Sequence, residues 1–306
     1  MHIYLNQSCH LGKGLEKWQK IEPELRLRYG DFKVYEIQSP GTLSDQIKSG
    51  IKEGERLFIA AGGDGTVNLL ANVLMSFATT GHEFVLGAIG LGASNDFHKP
   101  FRPEAFIKGI PIRMNWQKAI LNDVIQVRYK KNQGHFSTLH CIINASIGIV
   151  AQANALNNSR HPLIDSIRKV SVEASIVAAA LMTILTYRNI SCTISLDKYR
   201  DIKLTNLGVI KNSYFAGGLC YDTNIRPDDG NFGVNLCTSM TKFEAIKTML
   251  RLYKHKFSGY PKTYSWLATR LSLSSEKTFP LEIDGEIVFT KNVEFQLIPR
   301  ALRCCQ

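Results

Sequence analysis

The sequence predicts an α/β fold in two domains. Residues 1–122 read as a Rossmann-like α/β domain, and residues 123–306 as an antiparallel, β-sandwich-like domain. Three observations carry this reading. The chain has 306 residues, 44% hydrophobic and 21% charged, an ordinary globular composition with enough apolar material for two cores. Its first third alternates short apolar runs with helical periodicity, as a mostly parallel sheet covered by helices requires. After about residue 120 short strands joined by turns take over.

Taken in order, His2 to Leu5, Lys33 to Ile37, Leu57 to Ala61 and Val85 to Ile89 have the length and apolar character of strands. Thr42 to Glu53 and Val67 to Phe77 have helical spacing. In the second domain, strands are expected at 124–129, 139–144, 190–196, 205–210, 233–237, 271–273, 281–283 and 293–298. Helices interrupt them near 164–187 and 241–257. No repeat, low-complexity tract or Pro/Gly/Ser linker separates the halves.

Lys+Arg 37 against Asp+Glu 26 leaves a net charge of +11, which favours an anionic partner without choosing one. The 7 cysteines include no Cys-x-x-Cys pair and sit in apolar stretches, so reduced, buried thiols of a cytoplasmic protein are expected. The N-terminus does not read as a signal peptide. The longest apolar stretch, Ala174 to Tyr187, is too short and too Ser/Thr-spotted to span a bilayer, and fits a core helix better than an acyl-chain pocket. The final Cys304-Cys305-Gln306 is not a prenylation box and reads as a frayed tail.

The sharpest motif is Leu57-Phe-Ile-Ala-Ala-Gly-Gly-Asp-Gly-Thr-Val-Asn68, an apolar strand running into Gly62, Gly63, Asp64, Gly65 and Thr66 and then directly into a helix. Glycines let the backbone turn and a phosphate approach, and a helix N-terminus offers unpaired N–H groups. Asp64 and Thr66 can equally cap the helix. A second Gly-rich corner, Gly90-Leu-Gly-Ala-Ser-Asn-Asp-Phe97, follows the next strand. Two such corners at the carboxyl ends of adjacent parallel strands can converge on one nucleotide. Walker A, G-x-S-x-G, H-E-x-x-H and complete G-x-G-x-x-G strings are absent, which weakens P-loop, hydrolase, zincin and ordinary dinucleotide readings.

With these residues in view, the chain resembles the diacylglycerol kinase catalytic domain family, in particular bacterial soluble lipid kinases, over nearly its whole length. Later landmarks fall in order: Asp123, Asn144-Ala-Ser-Ile-Gly148, Arg226-Pro-Asp-Asp-Gly230 and Ile283-Asp-Gly-Glu286. The resemblance implies an ATP-dependent lipid kinase with its active site in an inter-domain cleft. Gly62, Gly63, Asp64, Gly65, Thr66 and Asn68 would cradle the ATP phosphates, with Ala93 and Asn95 on the second corner. Catalytic Mg²⁺ would lie near Asp64 and Asp96. Glu286 would act as general base toward a lipid hydroxyl, with Asp284 assisting or holding a metal-linked water network. A structural Mg²⁺ would be held by the Arg226 carbonyl, the Asp229 carboxylate and the Asn231 carbonyl, since oxygen-only ligation suits a hard cation.

This chain departs from the family pattern at three places. The opening Asn-Pro-x-Ser-Gly is reduced to Asn6-Gln-Ser-Cys, Leu69 stands where a glutamate is usual, and Ala93 replaces a threonine. These changes keep open a lipid- or nucleotide-binding pseudokinase, and the shared first loop keeps open an NAD kinase. The expected partners are a lipid presented at a membrane surface and no nucleic acid, with a homodimer open. Peripheral membrane contact would use the basic helix carrying Lys242, Lys247, Arg251, Lys254 and Lys256 beside Phe243, Ile246, Met249, Leu250 and Tyr253, a pattern also met on solvated helix faces.

Overall fold

A computed structural model describes all residues except 78–82, 132–133, 160 and 196–197. The chain forms two compact units: Met1–Val124 with Pro299–Gln306, and Ile125–Ile298.

In the first unit β1 (His2–Leu5), α1 (Lys13–Tyr29), β2 (Lys33–Glu36), α2 (Pro40–Lys52), β3 (Leu57–Gly62), α3 (Asp64–Phe77) and β4 (Val85–Gly90) alternate along the chain. The strands form a parallel sheet in the order β2-β1-β3-β4. That order places the carboxyl ends of β1, β3 and β4 side by side. The short strands β5 (Phe106–Ile107) and β6 (Ile110–Arg113) form a hairpin, and β6 runs antiparallel against β4. Trp18, Ile21 and Leu25 of α1 share one buried face and pack on Ile3, Leu5, Ile59 and Ile89 of the sheet.

β7 (Ile120–Lys130) carries the chain out of this unit, and buried Asp123 accepts the Arg300 amide at 2.9 Å, clipping the outgoing and returning segments together. At the C-terminus Arg303 and Cys304 pair in parallel with Val85 and Leu86, and the Cys305 amide donates to the Leu86 carbonyl at 2.8 Å. Cys304 and Cys305 are buried, so the expectation of a frayed tail is corrected: backbone pairing to β4 fixes it.

The second unit continues with β8 (Phe136–Cys141), β9 (Asn144–Gly148), α4 (Ile149–Asn158), α5 (Pro162–Val170), α6 (Val172–Thr186), β10 (Ile190–Ser195) and β11 (Tyr199–Ile210). A small hairpin of β12 (Tyr214–Phe215) and β13 (Leu219–Cys220) precedes β14 (Phe232–Thr238), α7 (Lys242–Tyr253), β15 (Thr263–Ala268), β16 (Arg270–Ile283) and β17 (Glu286–Cys304). Its main sheet is antiparallel, in the order β15-β14-β11-β10-β16-β17. β9 and β10 occupy one slot end to end, for both pair with β11 and with β16. The helices α4 to α6 are therefore an excursion from a single interrupted strand. Gly148, at φ +103°, makes that exit possible, because a side chain there would collide with the Thr205 carbonyl. The Asn206 carboxamide then accepts the Val150 amide at 2.9 Å at the start of α4.

Ser171 separates α5 from α6, and its hydroxyl accepts the Ala174 amide, so the helix expected at 164–187 is two. α6 is only partly the core helix its composition predicts. Ala179 and Ile184 are buried, whereas Val177, Leu181 and Leu185, spaced four apart, are exposed.

Candidate active site

The first corner is made by β3 ending at Gly62 and α3 starting at Asp64, with Gly63 alone between them. The Leu91 and Gly92 amides both donate to the Gly62 carbonyl, at 2.8 and 3.3 Å, which locks the second corner onto the first. A Cβ on Gly92 would lie 2.6 Å from the Gly63 Cα, so this pair is glycine because two backbones touch. Gly65 differs: a Cβ there meets nothing within 4 Å. It leaves room at the N-terminus of α3, where amide dipoles favour an anion.

Side chains around the corners are used largely for bracing. Asn6, at the end of β1, donates to the Thr66 hydroxyl at 3.1 Å, tying the opening loop to the corner despite its altered sequence. Asp64 accepts the Phe97 amide at 2.9 Å. Asn95 sits at φ +50° and donates to the Gly90 and Gly92 carbonyls, each at 3.2 Å. Asn68 is buried and accepts from Asn72 at 3.1 Å, and Ala93 is exposed. The Lys17 ammonium, which no motif singled out, reaches the Leu91 and Gly92 carbonyls at 3.0 Å each, bringing a cation to the same corners.

The expectation that Asp96 faces a catalytic Mg²⁺ meets a different arrangement. Lys99 donates to its Oδ1 at 2.7 Å in a buried ion pair, so that oxygen is already neutralised by an ammonium. With Asp64 accepting a backbone amide, neither carboxylate is arranged as part of a protein metal cage. Among the described residues no group of three or more His, Cys, Asp or Glu side chains gathers as metal ligands.

In the second unit Asp284 and Gly285 are the two central residues of the hairpin between β16 and β17, with φ of +47° and +93°. Positive φ at both positions is the type I′ geometry that Asp-Gly favours. The two carboxylates of Asp284-Gly-Glu286 have different surroundings. Asp284 is 3% exposed and its carboxylate accepts the amides of Ile142 at 2.7 Å, Ile143 at 3.0 Å and Asn144 at 2.8 Å. It clamps the backbone of residues 142–144 beneath the turn. Burial, followed by this carboxylate, pushes the Cys141 thiol well above its ordinary pKa, which keeps it unreactive. Glu286 is exposed at the first position of β17. A carboxylate that no motif singled out, Glu282, is buried beneath the turn and accepts the Ser146 hydroxyl at 2.7 Å and the Gly285 amide at 2.6 Å. The turn presenting Glu286 is thus held from below by two carboxylates.

The loop expected to hold a structural Mg²⁺ brings its three oxygens together, but around another group. The Lys211 ammonium donates to the Arg226 carbonyl at 2.8 Å, to Asp229 Oδ1 at 3.0 Å and to the Asn231 carbonyl at 2.6 Å. These are hydrogen-bond lengths, well beyond the roughly 2.1 Å of Mg²⁺ to oxygen. A divalent ion does not fit among oxygens that enclose an ammonium, and the metal reading of Arg226, Asp229 and Asn231 is corrected accordingly.

Comparison with known proteins agrees with this architecture. Residues 1–128 match the diacylglycerol kinase catalytic domain, and residues 145–306 match the YegS C-terminal NAD kinase beta sandwich-like domain. By the match over residues 145–306, more than half of its length, the chain belongs to the family of the YegS C-terminal NAD kinase beta sandwich-like domain. Similar curated proteins include one of Staphylococcus aureus named "Putative lipid kinase", 24% identical over 258 residues covering 82% of this chain and 77% of that protein. One of Staphylococcus epidermidis with the same description is 22% identical and covers 81% of this chain and 75% of its own length. Among solved structures, two described as diacylglycerol kinases from Bacillus anthracis, one of them as putative, share the fold. They superpose with TM-scores of 0.70 and 0.66 at 18% and 15% identity, covering 99% of this chain and 96% and 95% of theirs. No described helix is long and apolar enough to cross a membrane.

Proposed function

We propose that this protein is an ATP-dependent lipid kinase that transfers the γ-phosphoryl group to a lipid hydroxyl. The observation that carries the reading is the double glycine corner: Gly63 and Gly92 are in backbone contact while Gly65 leaves open space at the start of α3. A corner of that kind accepts phosphate through backbone amides and a helix terminus. The Lys17 ammonium adds positive charge to the same corners.

In this mechanism the Gly62 to Thr66 corner holds the ATP phosphates and Glu286 is the base. Mg²⁺, arriving with ATP, would neutralise the β- and γ-phosphate oxygens. Asp64, Asn95 and the Asp96–Lys99 pair keep the two corners in register. Glu286 takes the proton of the attacking hydroxyl, and its exposure leaves it open to an acceptor from solvent or from a lipid surface. Asp284 and Glu282 are positioning residues that fix the turn beneath it. Catalysis by positioning and charge neutralisation suits a reaction that demands little covalent chemistry of the protein.

Lipid presentation is assigned to α7. Phe243 and Leu250, 66% and 53% exposed, share its outer face with Lys247 and Lys254, a combination suited to an anionic membrane surface. The test is incubation of the full chain with γ-labelled ATP, Mg²⁺ and mixed micelles of diacylglycerol, sphingosine or ceramide, with NAD as a soluble acceptor. Label on a lipid, lost in Glu286→Gln, is the expected result. Label on NAD alone would reject the lipid reading, and tight ATP binding without transfer to any acceptor would reject the kinase reading.

A further inference from the structure

We infer that Lys211 is a resident cation that performs, within the fold, the task of a divalent metal ion. The loop from Arg226 to Asn231 turns two carbonyls and one carboxylate inward, an arrangement in which three partial or full negative charges face one point. Some cation must compensate them, because buried oxygens left facing each other are costly. Here the cation is covalent. Lys211 follows the last residue of β11, its side chain is 1% exposed, and its ammonium directs hydrogen bonds to all three oxygens. An ammonium with three N–H donors matches three acceptors in number, so the set closes without a metal.

The loop's own bonds support the same geometry. Asp229 Oδ2 accepts the Arg226 amide at 2.9 Å and Oδ1 accepts the Asn231 amide at 3.2 Å, so the carboxylate is already aimed when Lys211 meets it. Burial alone would raise the Asp229 pKa, but these amides and the Lys211 ammonium outweigh it and leave the pKa lowered, so the carboxylate is the charged partner the lysine needs.

The location gives the substitution a consequence beyond stability. The backbone amides of Lys211 and Asn212 donate to the Ile143 carbonyl at 2.8 and 2.9 Å, and the Ile143 amide donates to Asp284 at 3.0 Å. Lys211 therefore stands one residue away from the clamp under the Glu286 turn. A cation that cannot dissociate makes that neighbourhood independent of metal supply, and the inference holds whichever molecule is the phosphoryl acceptor.

The experiment is thermal melting of the full chain without nucleotide, in EDTA and in millimolar Mg²⁺. The wild type is expected to melt at the same temperature in both, within about a degree. Lys211→Ala should melt roughly 10 °C lower in EDTA, since it strands a buried carboxylate and two carbonyls. Mg²⁺ should then restore part of the loss, and the additional change Asp229→Asn should abolish that recovery. A Mg²⁺-dependent rise in the wild type that disappears in Asp229→Asn would overturn the inference, as would a Lys211→Ala variant that melts like the wild type or that gains no response to Mg²⁺. If Lys211→Ala does not fold, the comparison of wild type with Asp229→Asn in the two buffers decides alone.

Discussion

Replacing Asp284 by Asn separates a clamp from a catalyst, and the expected size of the effect follows from the turn's geometry. The carboxylate accepts three backbone amides at 2.7 to 3.0 Å with almost no exposure. An asparagine side chain keeps the shape but turns one oxygen into a donor, which then faces at least one of those amides. A hydrogen bond to a charged acceptor contributes about 1.5–3 kcal/mol, and an orphaned buried donor costs a similar amount. Losing the charge together with one or two bonds sums to about 3–5 kcal/mol. At roughly 2–4 °C per kcal/mol for a unit of this size, the melting temperature should fall on the order of 10 °C. Glu286→Gln provides the contrast: the side chain is exposed, so melting should be unchanged while kcat falls roughly 10²- to 10⁴-fold with ATP binding intact. Differential scanning calorimetry beside the lipid-labelling assay measures both. If Asp284→Asn melts like the wild type yet is inactive, Asp284 is a catalytic group and the clamp argument is wrong. A Glu286→Gln variant with wild-type turnover removes the base assignment.

Gly65→Val should weaken ATP binding at least about tenfold by calorimetry without lowering the melting temperature, because its Cβ meets no protein atom within 4 Å; unchanged affinity would move the phosphates elsewhere. Gly92→Ala should instead destabilise the first unit even without ATP, since the new Cβ would lie 2.6 Å from the Gly63 backbone; wild-type melting of that variant would mean the corners part readily. Burial, followed by the Arg113 guanidinium, pushes the pKa of His98 from 6.5 down to about 3. The folded state holds this imidazole neutral while the unfolded chain protonates it, so stability should fall by about 2 kcal/mol from pH 7 to pH 5 and continue falling toward pH 3. His98→Leu should flatten that part of the stability profile, and equal pH dependence of the two proteins would refute the assignment.

Much of the first unit was legible because strand and helix periods alternate and because each corner spells out its glycines. The helix α1 was not, since Lys and Glu dominate Lys13–Tyr29, Pro23 lies inside it, and the buried stripe reduces mainly to Trp18, Ile21 and Leu25. In the second unit the interrupted strand of β9 and β10 hides its continuity, because the two halves are separated in sequence by three helices and meet only through β11 and β16. The candidate site residues were chosen by type and order along the chain, which carry no information about orientation. Asp284-Gly-Glu286 looks like paired carboxylates, yet the type I′ turn sends one under the backbone and leaves the other exposed. Lys99 was readable as a partner three residues after Asp96, but Lys17 and Lys211 act across separations of more than 70 residues and 15 or more, at spacings no local pattern marks.

The three lysines share a physical logic. Each reaches backbone carbonyls or a carboxylate at a place where chain corners crowd oxygens together: Lys17 at the glycine corners, Lys99 at Asp96 and Lys211 at the Arg226 to Asn231 loop. Lys99 and Lys211 are buried, so their part of the net charge of +11 serves the shape of the chain and not the attraction of an anionic partner. The remainder is arranged differently, for Lys247 and Lys254 stay exposed beside Phe243 and Leu250 on α7. Charge that attracts a membrane is screened by salt, while charge enclosed by oxygens is not. Raising ionic strength should therefore release the protein from anionic vesicles while leaving its melting temperature nearly constant. Vesicle co-sedimentation and melting at about 0.05 and 0.5 M NaCl test the division. A melting temperature that falls in step with vesicle binding would show that the enclosed lysines are screened like surface charges, and the distinction would fail.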